Sequence, residues 1–146
     1  MRLFQIEEPE GGPADPELPG VAIGIDLGGA EAELAFSVGG NAVVLTDRSG
    51  FEQTLSVPDP SAPRAHWQEL FEGVRLRAER ALARPVDFAV VVVAAADAAT
   101  SAKLRDAAAA AALTILRIVA KGELPLEASA ALTAAMLAED LAPRPK

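Results

Sequence analysis

Three rhythms of apolar and polar residues follow one another along this chain. Residues 21–26 are nearly all apolar, as in a strand covered on both faces. Residues 32–38 alternate, with Leu34 and Phe36 on one side, and residues 42–47 carry Val43, Val44 and Leu45. Gly39-Gly40-Asn41 lies between these two runs and signals a tight hairpin. The first three strands are therefore predicted to form an antiparallel meander.

The period then lengthens to that of a helix. Trp67, Leu70, Phe71, Val74, Ala78, Ala81 and Leu82 recur at helical spacing, with Glu69, Glu72, Arg75, Arg77 and Glu79 on the other faces. Asp59-Pro60-Ser61-Ala62-Pro63 opens this helix, with Ser61 as its expected cap, and Pro85 closes it. Phe88 to Val93 is a pure apolar run, β-branched at its centre, and reads as a buried central strand. Thr100 is expected to cap a second helix over 100–112, whose buried face is almost entirely alanine. Leu113 to Val119 reads as another strand, broken by Lys121-Gly122. A third helix is expected over about 126–141, with Leu132, Ala135, Met136 and Leu141 as its apolar points.

The order β-β-β-α-β-α-β-α predicts an α/β domain, a five-stranded mixed sheet with helices on its faces. This is the arrangement of a ribonuclease-H-like lobe, expected here over residues 21–141 as a single domain. Residues 1–20 are expected to be a leader, because the proline, glycine and acid of 7–20 cannot make a packed core. Its short apolar patch, Leu3, Phe4 and Ile6, would dock on the domain or on a partner. Residues 142–146, with Pro143 and Pro145, form a tail.

Composition narrows the function classes. Aromatic residues make up only 4% of the chain, so the core must be built from Ala, Val, Leu and Ile. With 21 acids against 13 bases the formal charge is −8, and no basic patch of the kind that grips nucleic acid stands out. Cysteine is absent, which excludes disulfides and thiolate metal sites and suits a reducing, cytoplasmic setting. The first residues lack the long apolar core of a signal peptide. No apolar stretch reaches the roughly 20 residues of a membrane span.

The candidate chemistry lies at Val21-Ala22-Ile23-Gly24-Ile25-Asp26-Leu27-Gly28-Gly29. A buried strand delivers the Asp26 carboxylate to its tip, and Gly28 and Gly29 follow, where backbone can approach a ligand closely. Asp26 could hold a hydrated Mg²⁺ beside a phosphate, since a hard cation takes oxygen ligands and keeps several waters. Gly28 and Gly29 could present N–H groups to an anion. A turn with no ligand accounts for the same residues.

Against the phosphate reading stand Ala30, Glu31 and Glu33, where hydroxyls and amides would be wanted. A Glu31 carboxylate about 4 Å from a phosphate oxygen would be repelled by roughly 4 kcal/mol at a partly solvated dielectric. A metal bridging Asp26 and Glu31 would remove that repulsion. Asp97 reads as a cap or turn former, with metal coordination as the alternative. His66, the single histidine, reads as a surface residue at a helix start, Trp67 as packing, and Lys121 as a loop lysine or a phosphate partner.

On these residues the chain resembles the DnaK-type heat-shock chaperone ATPases, and within them the HscA branch that serves iron–sulfur cluster assembly. Gly24-Ile25-Asp26-Leu27-Gly28 matches the family's GIDLG, and Leu3-Phe4-Gln5-Ile6-Glu7-Glu8-Pro9 looks like the HscA leader. Asp47, Gly50 and Ser56-Val57 fall at familiar places, and a long subdomain of the family is missing after Pro58. The likeness resumes near residue 66 and runs through Val90–Val93, Asp97, the alanine-rich helix and Leu113–Val119. Glu127-Ala128-Ser129-Ala130-Ala131 looks like the family's Glu-Pro-Thr-Ala-Ala, which places Glu127 beside metal and water.

The resemblance implies an actin-like ATPase lobe that binds ATP or ADP with Mg²⁺ through Asp26 (the metal by way of water), Gly28, Gly29 and Glu127. It also implies partners: a full-length chaperone, a J-type co-chaperone, or a second copy. The departures pull the other way. The family's Thr-Thr-Asn has become Gly29-Ala30-Glu31. The sequence holds no second phosphate loop, no adenosine-binding GGS motif and no substrate-binding domain. A phosphate-contacting lysine subdomain is missing too. A helix-start glutamate, favourable to the dipole, also explains Glu127. The expected function is a degenerate lobe that serves as a protein-binding or regulatory module without ATP hydrolysis and has no catalytic residues. The alternatives are a weak ATP/ADP–Mg²⁺ binder and a ribonuclease-H-fold nuclease using Asp26 and Asp97. Neither membrane nor nucleic acid is an expected partner.

Overall fold

A computed structural model describes residues 21–45, 55–95, 97–124 and 129–142. The leader 1–20, Glu127 and the tail beyond Ala142 lie outside the described residues. Strands β1 (Val21–Asp26), β2 (Glu33–Val38) and β3 (Asn41–Leu45) come first. Helix α1 (Arg64–Leu82), β4 (Val86–Val93), α2 (Ala98–Ala110), β5 (Thr114–Ala120) and α3 (Ala130–Leu141) follow.

The strands make one mixed sheet in the order β3-β2-β1-β4-β5. The antiparallel β1–β2 and β2–β3 pairs form the expected meander, and β1, β4 and β5 run parallel. Gly39 and Gly40 take φ of +61° and +83°, the left-handed pair that a two-residue hairpin needs. The Phe88–Val93 run is the buried interior strand expected of it, since β4 is flanked by β1 on one side and β5 on the other, with β1 the middle one of the five.

Side-chain size divides the sheet into two faces. Ile23, Ile25, Leu34, Val91 and Ile115 point to one side, where Trp67, Leu70, Phe71 and Val74 of α1 and Leu104 of α2 cover them. On the other side lie Ala22, Gly24, Ala35, Val90 and Val92 beneath α3. The helix meets them with Ala130, Ala131, Ala134, Ala135 and Ala138, all buried. A Cβ at Gly24 would sit 2.7 Å from the Ala131 carbonyl oxygen and would collide with the Ala135 backbone nitrogen. Only hydrogen fits there. These small residues let the helix approach its own sheet closely.

Three helix starts differ from expectation. Pro63, not Ser61, occupies the N-cap of α1, since a proline keeps the residue before it out of helical geometry. Ser61 turns back instead, donating its hydroxyl and its N–H to Asp59 Oδ1 at 2.7 and 2.9 Å. Asp97 caps α2, as its reading as a cap or turn former allows, in place of Thr100: its carboxylate accepts the Thr100 N–H at 2.7 Å and the Thr100 hydroxyl at 3.1 Å. An acceptor with two oxygens serves the start of a helix better than one hydroxyl. Ser129 caps α3, which begins at Ala130 rather than near 126.

One polar contact fastens the small-residue face. Glu139 of α3 accepts the Ser37 hydroxyl at 2.7 Å and the N–H groups of Gly39 and Gly40 at 2.6 and 3.1 Å. The hairpin turn is thereby tied to the last helix.

Candidate functional site

The parallel register of β1, β4 and β5 decides what surrounds Asp26. Asp26 pairs with Val92, and Val92 pairs with Val119. Two residues past Val119 comes Lys121, so the tip of β5 lies two strands from the tip of β1. Its ammonium reaches Asp26 Oδ2 at 3.7 Å. The Gly28 N–H donates to Asp26 Oδ1 at 2.8 Å. Both oxygens of the carboxylate thus have internal partners, and its side chain is only 13% exposed. The lysine is half exposed, at 50%, so the pair contributes at most about 1 kcal/mol to stability.

A side chain at Gly28 would press on its neighbours. A Cβ there would lie 3.0 Å from Lys121 Cδ and 3.2 Å from Asp26 Oδ1, so the lysine stem lies across the turn. Gly29 is exposed with open space around its Cα, and nothing crowds it. The two glycines were expected to act together on an anion. They differ: the Gly28 N–H is taken by Asp26.

The loop after the strand is stitched to the chain beyond β3. Ala32 N–H donates to the Leu55 carbonyl at 2.8 Å, and Val57 N–H to the Ala30 carbonyl at 2.9 Å. Glu31 forms a backbone bridge with Ser56 and is exposed. Among the described residues, no three or more His, Asp or Glu side chains are grouped to hold a metal ion. Glu127 lies outside the described residues.

The other candidates go elsewhere. Asp97 follows the tip of β4, and the Thr100 N–H, then its hydroxyl, holds the carboxyl below the usual carboxylate range. It is a capping residue. The Ser61 hydroxyl, then its N–H, does the same for Asp59. His66 is exposed in the first turn of α1. Trp67 is buried on the inner face of that helix, and its indole N–H has no hydrogen-bond partner among the described residues.

The pairing of Lys121 with Asp26 was missed from sequence. The residues stand far apart in the chain, and only the strand register joins them. Alone, Lys121 gives no sign of it.

The fold and this strand tip define an α/β protein with a mixed five-stranded sheet and one carboxylate held at the end of its middle strand. No family model matches the chain, and no curated protein is similar to it. Among solved structures it is similar to the ethanolamine utilization protein EutJ from Carboxydothermus hydrogenoformans, with 17% identity and a TM-score of 0.48. That likeness covers 75% of this chain and 40% of EutJ, so the chain spans less than half of that protein's length. Among the described residues no helix is long and apolar enough to cross a membrane.

Proposed function

We propose that this chain is a ribonuclease-H-like lobe of the actin-like ATPase kind. It works as a protein-binding or regulatory module and does not hydrolyse ATP. The strand order, with β2 the one strand opposed to the rest, supports the lobe assignment. The single observation that carries the second part is the state of Asp26. Its oxygens are engaged by the Gly28 N–H and the Lys121 ammonium, the positions a metal-bound water and a phosphate-facing amide would need. A magnesium ion would have to displace a cation already seated there. The chaperone partner class, a DnaK-type protein of the HscA branch with its J-protein, rests on the motif resemblance alone.

Calorimetry of the purified chain with ATP and Mg²⁺ tests this. The expected result is no heat at about millimolar nucleotide, where a weak site of about −4 kcal/mol would already register. Micromolar binding lost in Asp26→Ala would overturn it. Sedimentation with an HscA-type chaperone and its J-protein then tests the partner: a shift of the boundary is expected, and an unchanged boundary and ATPase rate would refute that partner class.

One observation favours a second reading, a weak ATP/ADP–Mg²⁺ binder. Lys121 is half exposed and could turn from Asp26 to a phosphate oxygen. In that case Lys121→Ala would weaken nucleotide binding. Under the first reading that variant changes nothing in the calorimeter. A nuclease using Asp26 and Asp97 has less to draw on, since both carboxylates are spent on local hydrogen bonds.

A further inference from the structure

The two edges of the sheet are finished differently. At β5 a register shift against β4 follows Ile115. The Arg105 guanidinium donates to the Ile115 carbonyl at 2.7 Å, and the strand carries the exposed Arg117. Irregular pairing and charge of this kind keep an edge from recruiting another strand. The β3 edge has neither device. Asn41–Leu45 holds no charge and no proline, its pairing with β2 is regular, and Val43 and Val44 are 57% and 41% exposed.

The hairpin fixes which backbone groups face outward. Gly39 and Gly40 alone connect β2 to β3, so the flanking pair Val38–Asn41 exchanges both of its backbone hydrogen bonds. Such pairs alternate along the ladder, and Phe36–Val43 and Leu34–Leu45 are the next two. Ala42 and Val44 therefore turn their N–H and C=O groups away from β2. Among the described residues no other backbone group bonds to them. Two donors and two acceptors thus stand in a row on an uncharged edge.

These groups fit a second copy of the same strand. Placed antiparallel, with Ala42 opposite Val44 of the copy and Val44 opposite its Ala42, the two edges make four backbone hydrogen bonds. Val43 then stands opposite its own counterpart on the two-fold axis, at a non-bonded position where side chains come closest. The match is self-complementary, as a two-fold interface requires. A chain of net charge −8 repels its copy, and this strand is a place where neither brings charge to the contact. We propose that the chain forms a two-fold dimer through β3, which joins two five-stranded sheets into one. The strand is five residues long, about 17 Å, so the interface falls short of the roughly 800 Å² per partner of a stable complex and the dimer is weak. The inference is independent of the module reading, since it uses neither Asp26 nor Lys121.

Sedimentation equilibrium of the full-length protein between about 1 μM and about 1 mM tests this. The average mass is expected to rise from the 15.1 kDa of one chain toward twice that value. Val43→Lys and Val43→Glu should each move the midpoint at least about tenfold higher in concentration, because like charges then face each other on the axis. An equal mixture of the two variants should associate as the unaltered protein does. Amide exchange reads the register: Ala42 and Val44 should slow as concentration rises, while Asn41, Val43 and Leu45, already bonded to β2, stay unchanged. The mass of one chain at every concentration would overturn the proposal and leave the edge to a different polypeptide. A dimer indifferent to both Val43 variants would overturn it too, and would move the contact to another surface, such as the exposed Met136 and Leu141 of α3.

Discussion

The two faces of the sheet are built on opposite principles. Under α1 and α2 the interface is made of large side chains: Phe71, Ile23, Ile25, Leu34 and Leu104 are fully buried. Under α3 it is made of alanines, valines and one glycine, and what holds it is closeness. The first face gains from apolar area removed from water, about 25 cal/mol for each Å². The second buries little area per residue and gains from backbone approach and dense packing. The faces should therefore fail differently: the first when atoms are removed, the second when atoms are added.

The largest effect is expected on the first face. Phe71→Ala should cost about 4 kcal/mol in denaturant unfolding, because an aromatic ring leaves a cavity the helix cannot close. Next comes the second face. Gly24→Ala, the addition of one methyl, should cost about 3 kcal/mol, since the new carbon meets backbone atoms of α3 that cannot turn aside. Combining it with Ala135→Gly sharpens the comparison. No rescue is expected, because the clash is with the Ala135 nitrogen and not with its side chain. A rescued double variant would mean that side chains set the spacing after all.

A smaller loss, about 2 kcal/mol, is expected for Glu139→Ala, which leaves the buried Ser37 hydroxyl without its acceptor. Amide exchange should then quicken at Gly39 and Gly40 and leave α1 unchanged. The smallest effect is a pH dependence on the other face. Asp97 is held below its ordinary carboxylate range by Thr100, so its contribution is complete above about pH 4, the unfolded value. It is lost as pH falls further through the folded value. Asp97→Ala should lower the melting temperature at neutral pH and flatten its decline in acid; parallel curves for the two proteins would show that the cap does not titrate as described.

Much of the layout is legible in the sequence because its signals are local. The 21–26 run, the Gly39-Gly40 turn and the spacing from Trp67 to Ala78 each name their element without help from elsewhere. Helix starts are harder to read where candidates crowd together. Ser61, Pro63, Asp97 and Thr100 all suit a cap, and the winner depends on a proline ring or a second carboxylate oxygen. The alanine rows state that a helix packs closely but not against what. The site is least legible. Gly24 belongs to a motif associated with nucleotide, yet in this fold it makes room for α3. The Gly28–Asp26 bond is local, but Lys121 meets Asp26 only through the register of three strands. Glu139 reaches the hairpin across most of the chain's length.

Helix α3 packs across β1, β2, β3 and β4, all of which are synthesised before it. A nascent chain leaving the ribosome must therefore wait with its glycine-and-alanine sheet surface bare until residues 130–141 emerge. During that interval the Gly24 side of the sheet lacks the helix that covers it in the finished protein.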